Sequence, residues 1–197
     1  ELLRDRLSPP VTVQQEIKPV RAFHTPAGAF CLDFGQNLAG LIRVDTAQFP
    51  AADFRLRFFE TLDPDGNVYT KNLRTAKQEL VYRSNGEART IVPEFTCYGF
   101  RYVWLDANTE LPPDAFTALV LHSEMPEAGA LRTSNPDLNR LIENIAWSQR
   151  GNFVDLPTDC PQRDERLGWT GDAQVFSATA SYLADSFAFY RKYLYDL

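Results

Sequence analysis

Two neighbouring stretches of the sequence decide the fold: Phe116-Thr-Ala-Leu-Val-Leu-His122 and Ser134-Asn-Pro-Asp-Leu-Asn-Arg-Leu-Ile142. The first is a short apolar run of the kind that forms a buried strand. The second places a capping side chain and a proline before apolar residues spaced three and four apart, which is typical of a helix start. The pattern changes at about residue 125, which predicts one domain of residues 1–125 and a second of residues 126–197.

The residues before this change predict a series of short strands. Phe54-Arg-Leu-Arg-Phe-Phe59 alternates apolar and charged residues, as expected for a strand with one solvent-facing side. Asp63-Pro-Asp-Gly-Asn67 is a strong turn signal, because proline fixes φ and glycine accepts a positive φ. Further strands are expected at 11–13, 29–34, 40–45, 77–83, 90–95 and 99–105. Many short strands at regular spacing predict an antiparallel β-sandwich.

Three helices are predicted after residue 125. The first carries one apolar stripe at helical spacing: Leu138, Leu141, Ile142, Ile145 and Ala146. The second begins between Thr170 and Asp172, and the third begins at Ser186. Three helices cannot bury all their apolar faces on one another. We therefore expect the sequence to be a piece of a larger protein, with an apolar patch exposed where further helices pack.

Composition excludes several classes of protein. The 197 residues are 44% hydrophobic, which allows a packed core, and the net charge of −6 without a basic stripe argues against a nucleic-acid partner. No apolar run is long enough to span a membrane, and the charged start Glu1-Leu-Leu-Arg-Asp-Arg6 is unlike a signal peptide. Since the natural start of the protein can lie upstream, both a cytoplasmic and a secreted location stay open.

The cysteines and histidines give no metal or disulfide pattern. The three cysteines have no metal-ligand spacing, and the two histidines stand far apart: Cys31, Cys97 and Cys160, and His24 and His122. We therefore expect neither a disulfide framework nor a zinc site, and no cofactor.

One segment between the first two helices concentrates reactive side chains: Asp155-Leu-Pro-Thr-Asp-Cys-Pro-Gln-Arg-Asp-Glu-Arg-Leu-Gly-Trp-Thr-Gly-Asp172. It holds five carboxylates, two arginines and a tryptophan among prolines and glycines that break regular structure. Carboxylates tuned by burial and by arginine can act as acids, and a flat aromatic ring can pack on a sugar. The combination indicates a site that binds a sugar and moves a proton.

The residues of this segment keep more than one interpretation. Glu165 is flanked by arginines and differs in direction from the adjacent Asp164, so the two are not expected to form a catalytic pair. Asp159 can close an Asx-turn or accept sugar hydroxyls, and Asp172 can cap the second helix or face a site. Trp169 can belong to the core or offer its ring to a sugar.

Asp159-Cys-Pro-Gln-Arg-Asp-Glu-Arg-Leu-Gly-Trp-Thr-Gly-Asp172 resembles the signature of the α-L-rhamnosidases of glycoside hydrolase family 78. Three earlier stretches resemble the β-sandwich module that precedes the catalytic barrel in that family: Phe34-Gly-Gln-Asn-Leu-Ala-Gly40, Leu62-Asp-Pro-Asp-Gly-Asn-Val-Tyr69 with Asn72-Leu-Arg74, and Phe95-Thr-Cys-Tyr-Gly-Phe-Arg-Tyr102. The resemblance covers residues of about 20 to 197.

The resemblance implies a β-sandwich followed by an (α/α)6 barrel. It implies hydrolysis, with inversion, of terminal α-L-rhamnose from rhamnosylated glycosides or polysaccharides. By position, Glu165 is similar to the general acid of the family, and four other residues are similar to positions that line the rhamnose subsite: Asp159, Arg163, Trp169 and Asp172. Trp169 is then the apolar partner for the methyl group of this 6-deoxy sugar.

The sequence departs from the family pattern at the second carboxylate. An inverting enzyme needs a general base about 6.5–9.5 Å from the acid. In the family this glutamate lies far downstream, and no residue here resembles it, so we expect the rest of the barrel to be missing and the chain alone to be inactive or nearly so. A smaller departure is Arg57-Phe-Phe-Glu60, where relatives often carry a histidine.

Three alternatives stay open on sequence grounds. The first is a non-catalytic carbohydrate-binding β-sandwich, for which Glu165 would be dispensable. The second is a structural module, in which Asp159, Glu165 and Asp172 share no cavity. The third is a calcium site made from Asp155, Asp159 and Asp164, although these lack the alternating spacing of a calcium loop.

Overall fold

The computed structural model describes residues 5–197 as an antiparallel β half followed by three helices. The first four residues of the charged N-terminal stretch lie outside the described part. The strands are β1 (Val11–Ile17), β2 (Arg21–His24), β3 (Phe30–Asp45), β4 (Phe54–Phe59), β5 (Thr61–Leu62), β6 (Val68–Tyr69), β7 (Glu79–Tyr82), β8 (Thr90–Ile91), β9 (Tyr98–Ala107), β10 (Phe116–Ser123), β11 (Phe153–Val154) and β12 (Leu156–Pro157). The helices are α1 (Pro136–Asn152), α2 (Thr170–Leu183) and α3 (Phe187–Asp196). The predicted fold class, antiparallel β structure followed by helices, is confirmed.

Strand β3 is the central strand of the sheet. The sequence predicted two strands here, at 29–34 and 40–45, but the structure has one strand with a bulge between Asp33 and Leu38. Gly35 has φ 75° and donates its N–H to Asp33 Oδ1 at 2.7 Å, so the strand bends at these residues without ending. The bent strand pairs with β2, β8, β9 and β10. The short edge strand β2 was not predicted.

The sheet is curled and encloses the main core. Its strand order is β1-β10-β3-β9-β4-β7, so β10 and β4 would lie about 14 Å apart in a flat sheet. The rings of Phe116 on β10 and Phe54 on β4 are nevertheless only 6.4 Å apart, and Phe49 contacts both. The curl thus brings two sides of one sheet face to face, which gives the β half its two-layered core.

The helices begin where the sequence predicted. Asn135 caps α1 by accepting the backbone N–H of Asp137 at 2.8 Å. The predicted apolar stripe of α1 is mainly outside the core, since Leu138 and Leu141 are exposed. The side chain that anchors α1 on the sheet is Trp147, which packs against the main core. Leu138 and Leu141 therefore take no part in the core of the β half.

A small second core joins the other two helices. Phe153 stacks on Phe189 of α3 with ring centroids 4.5 Å apart, and Ala180 of α2 completes the cluster. Between residues 5 and 197, no helix has both the length and the apolar character needed to cross a membrane. The predicted division at residues 125/126 falls in the segment between β10 and α1 and stays a prediction.

Candidate active site

The reactive segment is attached to both halves of the molecule. It begins at the turn between β11 and β12, where Asp155 has φ 69° and donates its N–H to Ser123 Oγ on β10. The Asp155 carboxylate accepts from Ser8 Oγ at 3.0 Å and from Lys192 Nζ of α3 at 2.8 Å. Burial raises the pKa of Asp155, but the bonds from Lys192 and Ser8 outweigh it, so the net pKa is lowered. Asp155 therefore has a structural role, because it links the turn between β11 and β12 to β10 and α3.

Asp159 closes the loop that follows. Its Oδ1 accepts the N–H of Leu167 at 2.9 Å, while its own N–H donates to the Leu167 carbonyl at 3.2 Å. Its Oδ2 accepts from Arg163 Nη2 at 3.2 Å. Burial raises the pKa of Asp159, but hydrogen bonds from Cys160, the Leu167 backbone and Arg163 outweigh it, and the pKa ends below its usual value. Asp159 is thus held as a buried carboxylate.

Glu165 is held by two guanidinium groups. Its Oε2 lies 2.9 Å from Arg163 Nη2 and 2.9 Å from Arg74 Nη1, and its side chain is 27% exposed. The adjacent Asp164 turns to Thr75, whose hydroxyl donates to it. The two neighbouring carboxylates therefore have different partners, and Arg163 links Glu165 to Asp159.

A glycine of β9 allows the segment to pack against the sheet. A Cβ atom on Gly99 would lie 2.8 Å from Gln162 Cβ and from the Pro161 backbone, so a side chain at this position would displace the loop. Gln78 fixes the strand here, since its side-chain amide donates to the Gly99 carbonyl and accepts the Gly99 N–H. Arg166, at φ 38°, donates to the Cys97 carbonyl at 2.9 Å. The residues around Tyr98-Gly99 therefore form the surface of the sheet against which Pro161 and Gln162 of the reactive segment pack.

The two remaining predicted residues lie at the start of α2. Trp169 is the residue before the first turn and is 47% exposed, so it does not belong to the core. Asp172 lies in the first turn, where a carboxylate interacts favourably with the helix dipole, but it is not the capping residue. Asp159 and Asp172 line one cavity of about 220 Å³, together with Asn152 and Phe176. Two of the three carboxylates in the structural-module alternative therefore share a cavity, whereas Glu165 is not among the residues that line it.

The site contains one group of residues with metal-ligand atoms. Among the described residues, Asp159, Cys160 and Glu165 bring three such atoms within 4.8 Å of one another. The two carboxylates already pair with guanidinium groups, and burial raises the pKa of the Cys160 thiol, which keeps it protonated. The donor set is therefore a poor match for a cation. The calcium alternative is also a poor match, because two of its three carboxylates already have other partners: Asp155 binds Lys192 and Asp164 binds Thr75.

Two residues of the site were not predicted from the sequence: Arg74 and Glu60. Arg74 is 91 positions from Glu165, and no local spacing predicts that they meet. Glu60 accepts from the side-chain amides of Asn37 and Asn72, each at 2.9 Å. Burial raises the pKa of Glu60, more than the two amides and the Arg163 charge lower it. Both residues come from the β half, so the candidate site is not built by the helical half alone.

Comparison with known proteins places both halves in one family. Residues 23–122 match the family model described as the bacterial alpha-L-rhamnosidase concanavalin-like domain, and residues 126–197 match the bacterial alpha-L-rhamnosidase 6 hairpin glycosidase domain. An alpha-L-rhamnosidase of Streptomyces avermitilis is 42% identical over 190 residues, and one of Formosa agariphila is 42% identical over 173 residues. These matches cover 95% and 85% of this chain but only 18% and 19% of the two relatives.

Solved structures give the same result. The native rhamnosidase of Aspergillus terreus superposes with a TM-score of 0.89 at 44% identity, over 95% of this chain and 22% of that protein. The Streptomyces avermitilis alpha-L-rhamnosidase complexed with L-rhamnose superposes with a TM-score of 0.91 at 41% identity, over 97% of this chain and 19% of that protein. The chain therefore belongs to the bacterial α-L-rhamnosidase family.

Proposed function

We propose that this chain carries the acid half of an α-L-rhamnosidase active site, with Glu165 as the general acid. The observation that carries the proposal is the placement of Glu165, which two guanidinium groups hold beside the buried Asp159. In the described part of the chain, the second oxygen of Glu165, Oε1, accepts no hydrogen bond that would keep it from a substrate. The substrate class is a glycoside or polysaccharide with terminal α-L-rhamnose. A relative named alpha-L-rhamnosidase and a similar solved structure complexed with L-rhamnose support this choice.

The other residues hold the sugar. Asp159 and Asp172 line one cavity and are suited to accept ring hydroxyls, while the exposed ring of Trp169 is suited to the methyl group of a 6-deoxy sugar. Arg163 fixes Asp159 and Glu165 relative to each other.

The geometry favours a general base other than Asp159. An inverting enzyme separates its two carboxyl groups by about 6.5–9.5 Å to admit a water molecule. Asp159 approaches Glu165 to within 4.8 Å and already binds Leu167 and Arg163, so it is not placed as that base. We propose that the base comes from a different part of the protein, and that residues 1–125 and 126–197 act as separate domains around the site.

The stereochemistry of the product tests this assignment. Hydrolysis followed by proton NMR is expected to show β-L-rhamnose as the first product, because a single displacement inverts the anomeric carbon. If α-L-rhamnose appears first, the reaction has retained its configuration. Asp159 would then become the candidate nucleophile, and the proposed inverting mechanism would be wrong.

Turnover itself is tested with 4-nitrophenyl α-L-rhamnoside, on this chain and on the protein encoded by its whole reading frame. We expect the longer protein to hydrolyse the substrate and the 197-residue chain to be inactive or nearly so. On phenyl α-L-rhamnoside, whose leaving group needs a proton, Glu165→Gln in the longer protein should lower kcat by about 10²–10⁴-fold. Glu87→Gln, which changes an exposed glutamate of the β half, is the matched control and should leave kcat unchanged.

Two outcomes would count against the proposal. An unchanged kcat in Glu165→Gln would remove Glu165 from the acid role. Rhamnose binding without turnover by either protein would instead support the carbohydrate-binding alternative.

A further inference from the structure

We propose that Arg74, a residue of the β half, is a positioning residue for Glu165. The inference rests on the proposed function, since it assigns a role in the use of Glu165 as an acid. The β half would then complete the active site as well as support it. Four features of the structure carry this inference: a shared oxygen, an anchored loop, an unusual backbone conformation and a parallel contact from the next residue.

The shared oxygen fixes the direction of the Glu165 side chain. Arg74 Nη1 and Arg163 Nη2 both lie 2.9 Å from Oε2 of Glu165. Arg163 belongs to the same loop as Glu165, so its contact alone would let the loop and the carboxylate move together. Arg74 belongs to a different half of the molecule and fixes Glu165 relative to the sheet. With the hydrogen bond from Arg74 and the ion pair with Arg163 both on Oε2, Oε1 is the oxygen left to face a substrate.

The segment that carries Arg74 is anchored on both sides of it. Leu73 is buried, and the amide of Asn72 donates to Glu60 at 2.9 Å. On the other side, the Thr75 hydroxyl donates to Asp164, the neighbour of Glu165. Consecutive residues of the β half thus bind consecutive carboxylates of the reactive loop. The Arg74 side chain is 55% exposed, and an exposed ion pair without such anchoring would contribute little.

The backbone of Arg74 has a combination of φ and ψ that residues other than glycine rarely adopt. Its φ is 56° and its ψ is −113°, at the end of the 3-10 turn Lys71–Leu73. A residue other than glycine persists in such a conformation only when its surroundings hold it there, and such residues cluster at functional sites. Here the conformation directs the guanidinium group to Glu165. The sequence thus has an arginine at a backbone conformation that favours glycine.

The dependence of the rate on the leaving group separates positioning from general support. A phenol leaving group needs a proton from the acid, whereas 2,4-dinitrophenolate leaves almost without one. In the protein encoded by the whole reading frame, we expect Arg74→Ala to lower kcat on phenyl α-L-rhamnoside by about 10–100-fold. On the 2,4-dinitrophenyl rhamnoside we expect a change below about threefold, because the acid step contributes little there.

Two further variants control the experiment. Arg74→Lys keeps a cation and should recover part of the lost rate on the phenyl substrate. Arg83→Ala removes an exposed guanidinium of the same half, paired with Asp53, and should change neither rate. If Arg74→Ala unfolds, Arg74→Lys alone is compared on the two substrates, and a selective loss on phenyl rhamnoside is still expected.

Equal losses of Arg74→Ala on both substrates, or no loss on either, would overturn the inference while leaving the proposed function intact. A wild-type protein that hydrolyses neither rhamnoside, or a Glu165→Gln variant as active as wild type on the phenyl substrate, would overturn the proposed function and this inference with it.

Discussion

The β half buries its own apolar surface, whereas the helical half leaves much of its apolar surface exposed. Phe58 stacks on Tyr98 with ring centroids 4.0 Å apart and lies in a core that strands from the whole curled sheet surround. In the helical half, Val175 is 81% exposed, and Tyr182, Phe187 and Leu194 are also exposed. Apolar helix faces of this kind are typical of surfaces that pack against further structure.

The difference teaches what each part of the sequence encodes. The strands encode contacts that the chain itself makes, so their pattern and their burial agree. The helices bury Ala180 and Phe189 in a small core, but their exposed apolar faces have no partner among the described residues. The relatives are several times longer, since the chain spans 18% of one and 22% of another, and their additional residues are available for such contacts.

The largest expected effect is a core truncation in the β half. Phe58→Ala should lower the free energy of unfolding of the chain by about 3–5 kcal/mol, because it leaves a cavity in a closed core. Val175→Ala in the helical half should change it by less than about 0.5 kcal/mol. Urea unfolding of the 197-residue chain, followed by tryptophan fluorescence, measures both. Equal losses in the two variants would remove the contrast between the halves.

An intermediate effect is expected at Asp155, which fastens α3 to the β half. Asp155→Asn should lower the free energy of unfolding at pH 7 by about 1 kcal/mol, a modest figure because the side chain is 44% exposed and solvent screens its charge. The pKa of Asp155 is lowered in the folded state from 3.8, so its contribution is present above that value and is lost as the pH falls through the folded pKa.

Unfolding measured between pH 2 and pH 7 tests the assignment of Asp155. The difference between wild type and Asp155→Asn should disappear at the acid end. A difference that stays constant over this range would show that the ion pair with Lys192 does not fasten the helix.

The smallest effect is expected at Glu60, which belongs to the contact between the halves. Burial raises the pKa of Glu60 above 4.5, so its stability contribution is present below pH 4.5 and is lost as the pH rises through the folded pKa. Glu60→Gln removes this ionisation. Relative to the variant, wild type should lose stability between pH 4 and pH 7. Thermal unfolding at the two pH values measures the change, and a parallel pH dependence would contradict it.

Local signals predicted much of the fold. The alternation in 54–59 gave β4 with its observed bounds, and the cap and proline at Asn135-Pro136 gave the start of α1. The bulged β3 was predicted as two strands, because Gly35-Gln-Asn is a break by local rules and a bend in the tertiary structure. The helical spacing of the apolar residues in α1 was predicted correctly, but this spacing does not indicate which surface they pack against.

The roles of the candidate site residues stay predictions, and the structure shows only which of them lie together. Asp159, Arg163 and Glu165 share one loop, and the structure brings them together through ion pairs. Asp172 joins Asp159 at a cavity, although nothing in the spacing decided between that role and a helix cap. Arg74 could not be predicted as a partner, because folding of the β half alone determines where it lies.

The most direct test of an active site shared between the halves is a double-mutant cycle on kcat/KM for phenyl α-L-rhamnoside, whose leaving group needs a proton from the acid. The four proteins are wild type, Arg74→Ala, Glu165→Gln and the double variant, each in the protein encoded by the whole reading frame. If Arg74 acts through Glu165, its removal should cost activity in the wild type and almost none once Glu165 is changed. Losses that multiply, with the same Arg74→Ala factor in both backgrounds, would contradict the account.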